Sequence, residues 1–434
     1  MKFAGWLSAA IEILDTIEQR HLPVKHGLND WGRSHRFAGS KDRAAIGNLV
    51  YDIARHKASL AWVMESQEPR ALALAASVYL WGETADSLTA HIEGDKFAPD
   101  PLSEHEVACL NKEWDDVLTQ APLWVQANIP EWLEAPLTSQ FQQDLVKQAQ
   151  AMSLRAPIDI RVNALKANSE KVMKALSRYK PAQTRFCETT LRFAPITGGK
   201  KSPNLEAEAA HGKGWFEVQD EGSQLACLLA GVKPGDQVLD LCAGAGGKTL
   251  ALSALMENKG QIHAYDNDKQ RLRPIFERLK RAGCRNVQTY DAGNEVALEG
   301  LKGAMDVVFV DAPCTGSGTW RRHPDSKWRL SEKSLNMRLA EQKNVLGQAV
   351  TYLKPGGRLV YVTCSLLPEE NEEQISTLLQ TNTDLEPRSI AEQWKEVGNG
   401  AELRSANGNQ TYLTLSPHQH ETDGFFIALL QKAN

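Results

Sequence analysis

The sequence predicts an α/β protein: a mostly parallel sheet over residues 223–434, preceded by a small α+β unit over 124–222 and an all-helical front end over 1–123. Three observations carry this. Apolar runs of strand length alternate with helical stretches after residue 223, a Gly-rich turn joins the first of those runs to a helix, and the front end repeats its apolar residues at helical spacing.

In the front end, Trp6-Leu7-Ala10-Ile11-Leu14 and Ile46-Leu49-Val50-Ile53-Ala54 recur every three or four residues, alanine is plentiful and β-branched clusters are few. Charge is uneven there. Residues 1–62 hold nine Lys/Arg against six Asp/Glu, and residues 63–150 hold four against fifteen, so the second stretch reads as a solvated acidic face. Pro130 anchors a turn into a further helix. Beyond it, Ile158-Asp159-Ile160-Arg161-Val162-Asn163 reads as a strand inside the window 155–213, which carries twelve Lys/Arg against five Asp/Glu. A basic α+β surface of this kind suits phosphate contacts; an ordinary solvated exterior is the alternative.

The strands expected after residue 223 are 237–241, 261–265, 306–310, 358–362 and 424–428. Continuous apolar strands separated by helices imply a sheet covered on both faces. After the first strand comes Asp240-Leu241-Cys242-Ala243-Gly244-Ala245-Gly246-Gly247-Lys248-Thr249, a turn that brings backbone N–H groups close to a ligand. Nicotinamide oxidoreductases share that geometry. Two further acids narrow the reading: Asp266 after the second strand, placed for ribose hydroxyls, and Asp291 after the third, placed for an exocyclic amine. Acids at three successive strand ends suit S-adenosylmethionine, helix N-capping being the alternative for Asp266 and Asp291.

Seven cysteines stand at 109, 187, 227, 242, 284, 314 and 364. None forms a CxxC pair, which points to free thiols in a reducing compartment and away from a metal site. Most read as small core residues. Cys314, in Asp311-Ala312-Pro313-Cys314-Thr315-Gly316-Ser317-Gly318, and Cys364, in Thr363-Cys364-Ser365, differ, because both follow strands whose ends meet the ligand crevice. Paired thiols beside a methyl donor suit carbon methylation of a pyrimidine. A thiolate added at C6 makes C5 nucleophilic, an acid such as Asp311 stabilises the adduct near N3, and a second thiol serves the release step.

These motifs, with Glu370-Asn371-Glu372 behind Cys364, resemble the Nop/Sun family of RNA cytosine-5 methyltransferases. The resemblance runs over roughly 125–434, through Arg161-Val162-Asn163, Gln219-Asp220-Glu221-Gly222-Ser223 and Asp423-Gly424-Phe425-Phe426. The front end, with Asp42-Arg43-Ala44-Ala45-Ile46-Gly47-Asn48-Leu49-Val50-Tyr51, is similar to the NusB-like domain of the family's ribosomal small-subunit branch. The resemblance implies a Rossmann-like S-adenosylmethionine-dependent domain. Cys364 is its nucleophile, Cys314 assists release, and Cys242, Ala243, Gly244, Ala245, Gly246, Gly247, Lys248, Asp266, Asp291 and Asp311 bind or frame the cofactor. Where the family has Ala-Pro-Gly-Gly-Lys, this chain has Gly244-Ala245-Gly246-Gly247-Lys248.

Downstream of Cys314, Trp320-Arg321-Arg322-His323-Pro324-Asp325-Ser326-Lys327-Trp328-Arg329 reads as a basic, aromatic rim for RNA, with core anchoring of the tryptophans as the alternative. A net charge of −5 argues neither for nor against nucleic acid, and no apolar run reaches membrane-spanning length. The expectation is a cytoplasmic, metal-free monomer acting on RNA, ribosomal by analogy. A transfer RNA substrate and a non-catalytic ribosome assembly factor remain the alternatives.

Overall fold

The computed structural model describes residues 1–195, 203–291 and 293–434. Part of the basic window (196–202) and Ala292, next to Asp291, lie outside the described residues. The chain forms two compact units, one of residues 1–155 and 320–330, the other of 156–195, 203–319 and 331–434. Residues 124–155 therefore pack with the helices, and the α+β segment shares a unit with the large sheet.

The helical unit is built on Phe3–Arg20, Ser40–Met64 and Pro69–Tyr79. The recurring apolar positions converge on one core: Leu7, Ala10, Ile13, Leu49, Val50, Ile53 and Leu72 are all buried. Trp6 donates its indole N–H to Asp42 (3.0 Å), which ties the first helix to the start of the second.

The helix Ser40–Met64 kinks at His56, whose backbone leaves the helical region (φ −117°, ψ 20°). Ser59 N–H turns instead to Asn128 Oδ1 (3.0 Å). The carbonyls of Ala54 and Arg55 are capped from the segment 320–330, by Trp328 Nε1 (2.6 Å) and Lys327 Nζ (2.9 Å). Arg55 in turn donates to the carbonyl of Arg321 (2.7 Å).

This corrects the RNA-rim reading for Trp320, Arg321, Lys327 and Trp328, while His323 and Arg329 stay exposed. Trp320, Arg321 and Lys327 are buried at 2%, 4% and 3% exposure, and the Trp328 indole N–H is spent on a carbonyl. Aromatic rings and cations at this spacing look alike in sequence whether they face a ligand or plug a kinked helix. Burial and the charge of Arg55 push the Lys327 amine down to about 7.

In the larger unit, four short strands form an antiparallel sheet: β1 (Ile158–Val162), β2 (Ala182–Gln183), β3 (Thr190–Phe193) and β4 (Phe216–Val218), in the order β2-β3-β1-β4. Part of the positive charge counted in this window is turned inward, by ion pairing or burial. Arg192 grips Asp159 through two bonds (2.7 and 2.8 Å), Arg161 is buried with its Nε on Gln219 (2.7 Å), and Arg178 pairs with Glu208. Lys171, Lys174, Lys180 and Arg185 stay exposed.

The second sheet contains β5 (Gln237–Asp240), β6 (Gln261–Ala264), β7 (Val287–Thr289), β8 (Met305–Asp311), β9 (Leu353–Thr363), β10 (Leu385–Pro387), β11 (Leu413–Leu415) and β12 (Phe425–Lys432). Its order is β10-β12-β9-β8-β5-β6-β7, with β11 also on β12. Strands β5 to β9 pair in parallel. Along β8, Val307 and Phe309 enter the core on one face while Val308 and Val310 enter the core on the other. That two-sided burial is why these strands read as unbroken apolar runs.

The last strand, β12, runs antiparallel to β9, β10 and β11, so the sheet is mixed. The loop from β11 to β12 spans only residues 416–424, too few for the crossover a parallel neighbour requires.

Candidate active site

From β5 the chain adds β6 and β7 on one side, then returns to add β8 and β9 on the other. The loops leaving β5 and β8 therefore diverge at adjacent carboxyl ends, which opens the crevice where α/β sheets bind ligands. Every residue singled out for chemistry in the sequence leaves this edge of the sheet.

After β5, Gly244 and Gly246 take left-handed backbone conformations (φ 49° and 84°), and the helix Gly247–Leu255 follows. A Cβ on Gly246 would lie 2.5 Å from Ile275, so no larger residue fits. Gly244 N–H donates to Asp266 Oδ2 (2.9 Å), and Asp268 N–H donates to Asp266 Oδ1 (2.8 Å). Capping of the next helix falls to Asp268, and Asn294 caps the element after Asp291, so neither Asp266 nor Asp291 serves as a helix cap. Asp266 is buried under the glycine turn, whereas Asp291 is exposed. Ala243 N–H is held by the Tyr265 carbonyl (2.8 Å) and the Ala245 carbonyl by Arg278 (2.9 Å). Cys242 is half-buried, and burial, then the charges of Asp240 and Asp311, push its thiol well up.

Asp240 is wholly buried. Its Oδ2 accepts from Thr249 (2.6 Å), while Oδ1 has no hydrogen-bond partner among the described residues. Burial pushes this carboxyl up to about 7 from 3.8, the nearby charge of Asp311 adding to it. Because the folded value exceeds the unfolded one, Asp240 costs stability as pH rises from about 4 to about 7 and costs nothing below that window. Asp240→Asn is therefore expected to raise the urea midpoint above pH 7, by an effect on the order of a few kcal/mol, and to leave it unchanged below pH 4. Parallel pH profiles for the two proteins would contradict this.

Lys248, at the start of the helix, donates to Asp311 Oδ2 at the end of β8 (2.6 Å). Burial alone would lower the Lys248 amine; the charge and hydrogen bond of Asp311 outweigh it and raise it. The same amine lies 5.6 Å from the ring centre of Phe425.

Cys314 and Cys364, fifty residues apart in the chain, meet with their sulfurs 3.4 Å apart. Parallel register does this: Asp311 of β8 lies beside Val362 of β9, so both loops depart at the same level. Both thiols are half-buried. Gly318 seals the arrangement, donating its N–H to the Cys364 carbonyl (2.9 Å) and accepting from Gly424 N–H (2.8 Å). A Cβ on Gly318 would sit 2.2 Å from the Gly424 carbonyl oxygen.

Residues 226–431 match the model of the 16S rRNA methyltransferase RsmB/F family. A probable ribosomal RNA small subunit methyltransferase B of Synechocystis sp. is 31% identical over 319 residues, 71% of this chain and 68% of that protein. The chain belongs to the RsmB/F family. The crystal structure of PH0851 superposes with a TM-score of 0.72 at 26% identity, over 100% of this chain and 99% of that one. A methyltransferase homologue from Pyrococcus horikoshii gives 0.56 at 27%, over 71% and 97%.

The cofactor of this methyltransferase family is S-adenosylmethionine, and the crevice fits it. A Cβ on Gly244 would stand 3.7 Å from Arg271 Nη2 and 3.9 Å from Asp266 Oδ2, so the glycine turn lies directly against that carboxylate. Two N–H groups occupy two of the roughly four acceptor positions of Asp266, which leaves others for ribose hydroxyls. Among the described residues no cluster of three potential metal ligands occurs, and no helix is long and apolar enough to cross a membrane.

Sequence reasoning missed Phe425 as the floor beneath Lys248, and Gln342, whose amide holds the Pro313 carbonyl (2.9 Å) from the helix Glu332–Tyr352. The Asp-Gly-Phe-Phe motif signalled the first. No pattern around Gln342 marks it.

Proposed function

We propose that this RsmB/F family member is an RNA cytosine-C5 methyltransferase acting on 16S ribosomal RNA through a covalent adduct between Cys364 and C6 of the base. The contact of the two thiols at 3.4 Å, beside the Lys248–Asp311 pair, is the observation that carries the reading. A pair of reactive sulfurs has no use in a methyltransferase whose target atom is already nucleophilic.

In this mechanism the Cys364 sulfur, as thiolate, bonds to C6, and the ring electrons make C5 a carbanion-like nucleophile. Asp311, oriented by Lys248, stabilises the adduct at ring N3. S-adenosylmethionine, when bound, supplies the electrophilic methyl group. The loop Cys242–Lys248 with Asp266 and Asp291 holds it. Once C5 carries its methyl, the C5 proton passes to solvent water and its C–H electron pair restores the C5–C6 double bond. The Cys364–C6 bond breaks with its pair returning to sulfur as thiolate, Cys314 assisting this release by donating a hydrogen bond to that sulfur. The target base leaves its stack to reach the sulfur. Exposed Lys171, Lys174, Lys180 and Arg185 support phosphate contacts by the small antiparallel sheet, and the helical front end is read as a NusB-like domain. The protein acts as a cytoplasmic monomer.

Bisulfite sequencing of total RNA from cells lacking the protein tests this. The expected result is one lost 5-methylcytosine in small-subunit ribosomal RNA. A mark lost from transfer RNA instead would redirect the substrate, and an unchanged map would leave only an assembly role.

A further inference from the structure

Two equivalent thiols in contact pose a chemical problem: the pair must know which sulfur is the anion. Cys314 and Cys364 share one hydrogen bond whose donor is not set by their separation alone. The asymmetry has to come from what surrounds them.

Glu370, in the Glu-Asn-Glu motif behind Cys364, is completely buried. Its Oε1 accepts the backbone N–H of Thr315, the residue after Cys314 (2.8 Å), and the amide of Gln342 (3.0 Å). Its Oε2 accepts the Thr315 hydroxyl. Three donors and no acceptor converge on it, the set an ionised carboxylate takes. Gln342 also holds the Pro313 carbonyl, so the residues on both sides of Cys314 are tied to this one carboxylate.

The link continues to the other cysteine. The Thr315 hydroxyl lies 3.5 Å from that of Ser365, the neighbour of Cys364, and Ser365 meets Ser317 at 3.0 Å. Tyr361 donates to the Glu370 carbonyl (2.7 Å), and Asn371 spans Thr363 (2.6 Å) and the Ser365 carbonyl (3.0 Å).

We propose that Glu370 is the positioning residue of the thiol pair: one buried carboxylate locks the Cys314 loop to the Cys364 loop and makes the two sulfurs chemically unequal. The inference rests on the reading of Cys364 as the nucleophile. The charged and titratable groups facing the pair divide accordingly. Cys314 is pushed well up by its hydrogen bond to Cys364, by burial, and by the charges of Cys364, Glu370 and Asp311, and Tyr361 also stands beside it. The Lys248 cation interacts with Cys364. Of the two sulfurs, Cys314 is thus the one held to its proton, beside the Glu370 carboxylate that ties down its loop.

Site-resolved alkylation of the free protein by iodoacetamide, from about pH 6 to about pH 10, tests this without RNA or cofactor. In the wild-type protein Cys364 is expected to react at least about tenfold faster than Cys314. Glu370→Gln keeps the shape, because its Oε1 still accepts two N–H bonds and its amide donates to Thr315, but removes the charge. The Cys314 profile should then move to lower pH by about one unit, a tenfold gain in thiolate at fixed pH, with the Cys364 profile moving less. Glu370→Asp should restore part of the difference.

An unchanged ratio in Glu370→Gln overturns the proposal, as does a wild-type protein whose two sulfurs react equally. That second result decides the matter even if the variant does not fold. The functional reading fails separately: a Glu370-dependent asymmetry in a protein that methylates no RNA leaves the positioning role standing and removes the enzyme. Normal methylation with no asymmetry does the reverse.

Discussion

Cys364→Ala is expected to lower methyl transfer to RNA by at least about a thousandfold while S-adenosylmethionine still binds, because losses on the order of 10⁶ follow removal of an enzyme's covalent nucleophile. C5 of cytosine does not attack a sulfonium methyl unaided, so the whole acceleration from C6 addition disappears with the sulfur. The fold has little reason to suffer. Cys364 is half-buried, and the backbone bond from Gly318 to its carbonyl does not involve the side chain. The groups proposed to hold the cofactor leave other strands: the glycine turn follows β5, Asp266 follows β6 and Asp291 follows β7. Cys364→Ser should behave alike, since a hydroxyl is a far weaker nucleophile than a thiolate. Methyl incorporation from labelled donor, set beside calorimetric titration of the donor, reads both quantities. Retention of a tenth of the activity or more would remove Cys364 from the covalent step.

The second large effect belongs to Cys314. With Cys314→Ser, Cys364 still adds to the base and C5 is still methylated, but the step that breaks the sulfur–carbon bond loses its partner 3.4 Å away. Turnover is expected to fall by about 10² to 10⁴, the range for losing a positioned acid or base, and the enzyme to accumulate on its RNA. A slow-migrating protein–RNA band should survive denaturing electrophoresis. The double variant Cys314→Ser with Cys364→Ala should give no band, since no bond forms. Normal turnover without a band in the single variant would exclude Cys314 from the reaction.

Some of this architecture was legible because its physics is local. Runs such as Val307–Val310 are apolar throughout because both faces of β8 are buried, and Gly244 and Gly246 of the first loop stand where the backbone takes positive φ. The two cysteine motifs were legible for a related reason, since parallel strands bring their carboxyl ends to one edge and the residues just past them to one another. The segment 320–329 was not. Its tryptophans and cations have the composition of an RNA rim, but Lys327 and Trp328 cap carbonyls freed by a kink at His56, more than 260 residues earlier in the chain, and Trp320 and Arg321 are buried. In the basic window a count of charges does not say which cations remain for a ligand: Arg192 is gripped by Asp159 and Arg161 is buried, whereas Lys171, Lys174, Lys180 and Arg185 stay exposed.

The amino-acid order by itself therefore determined the strand and helix alternation and the glycine-rich turn after β5, which follow from periodicity and short-range stereochemistry, and it placed the two cysteine motifs at strand ends. Only the tertiary structure decided that β12 runs antiparallel, that Gln342 reaches Pro313, and that Glu370 sits behind Cys314 with three donors upon it. Those facts depend on which buried polar groups meet across long separations. Burial makes each such meeting obligatory, since an unpaired group is costly there, yet it leaves the choice of partner to the fold.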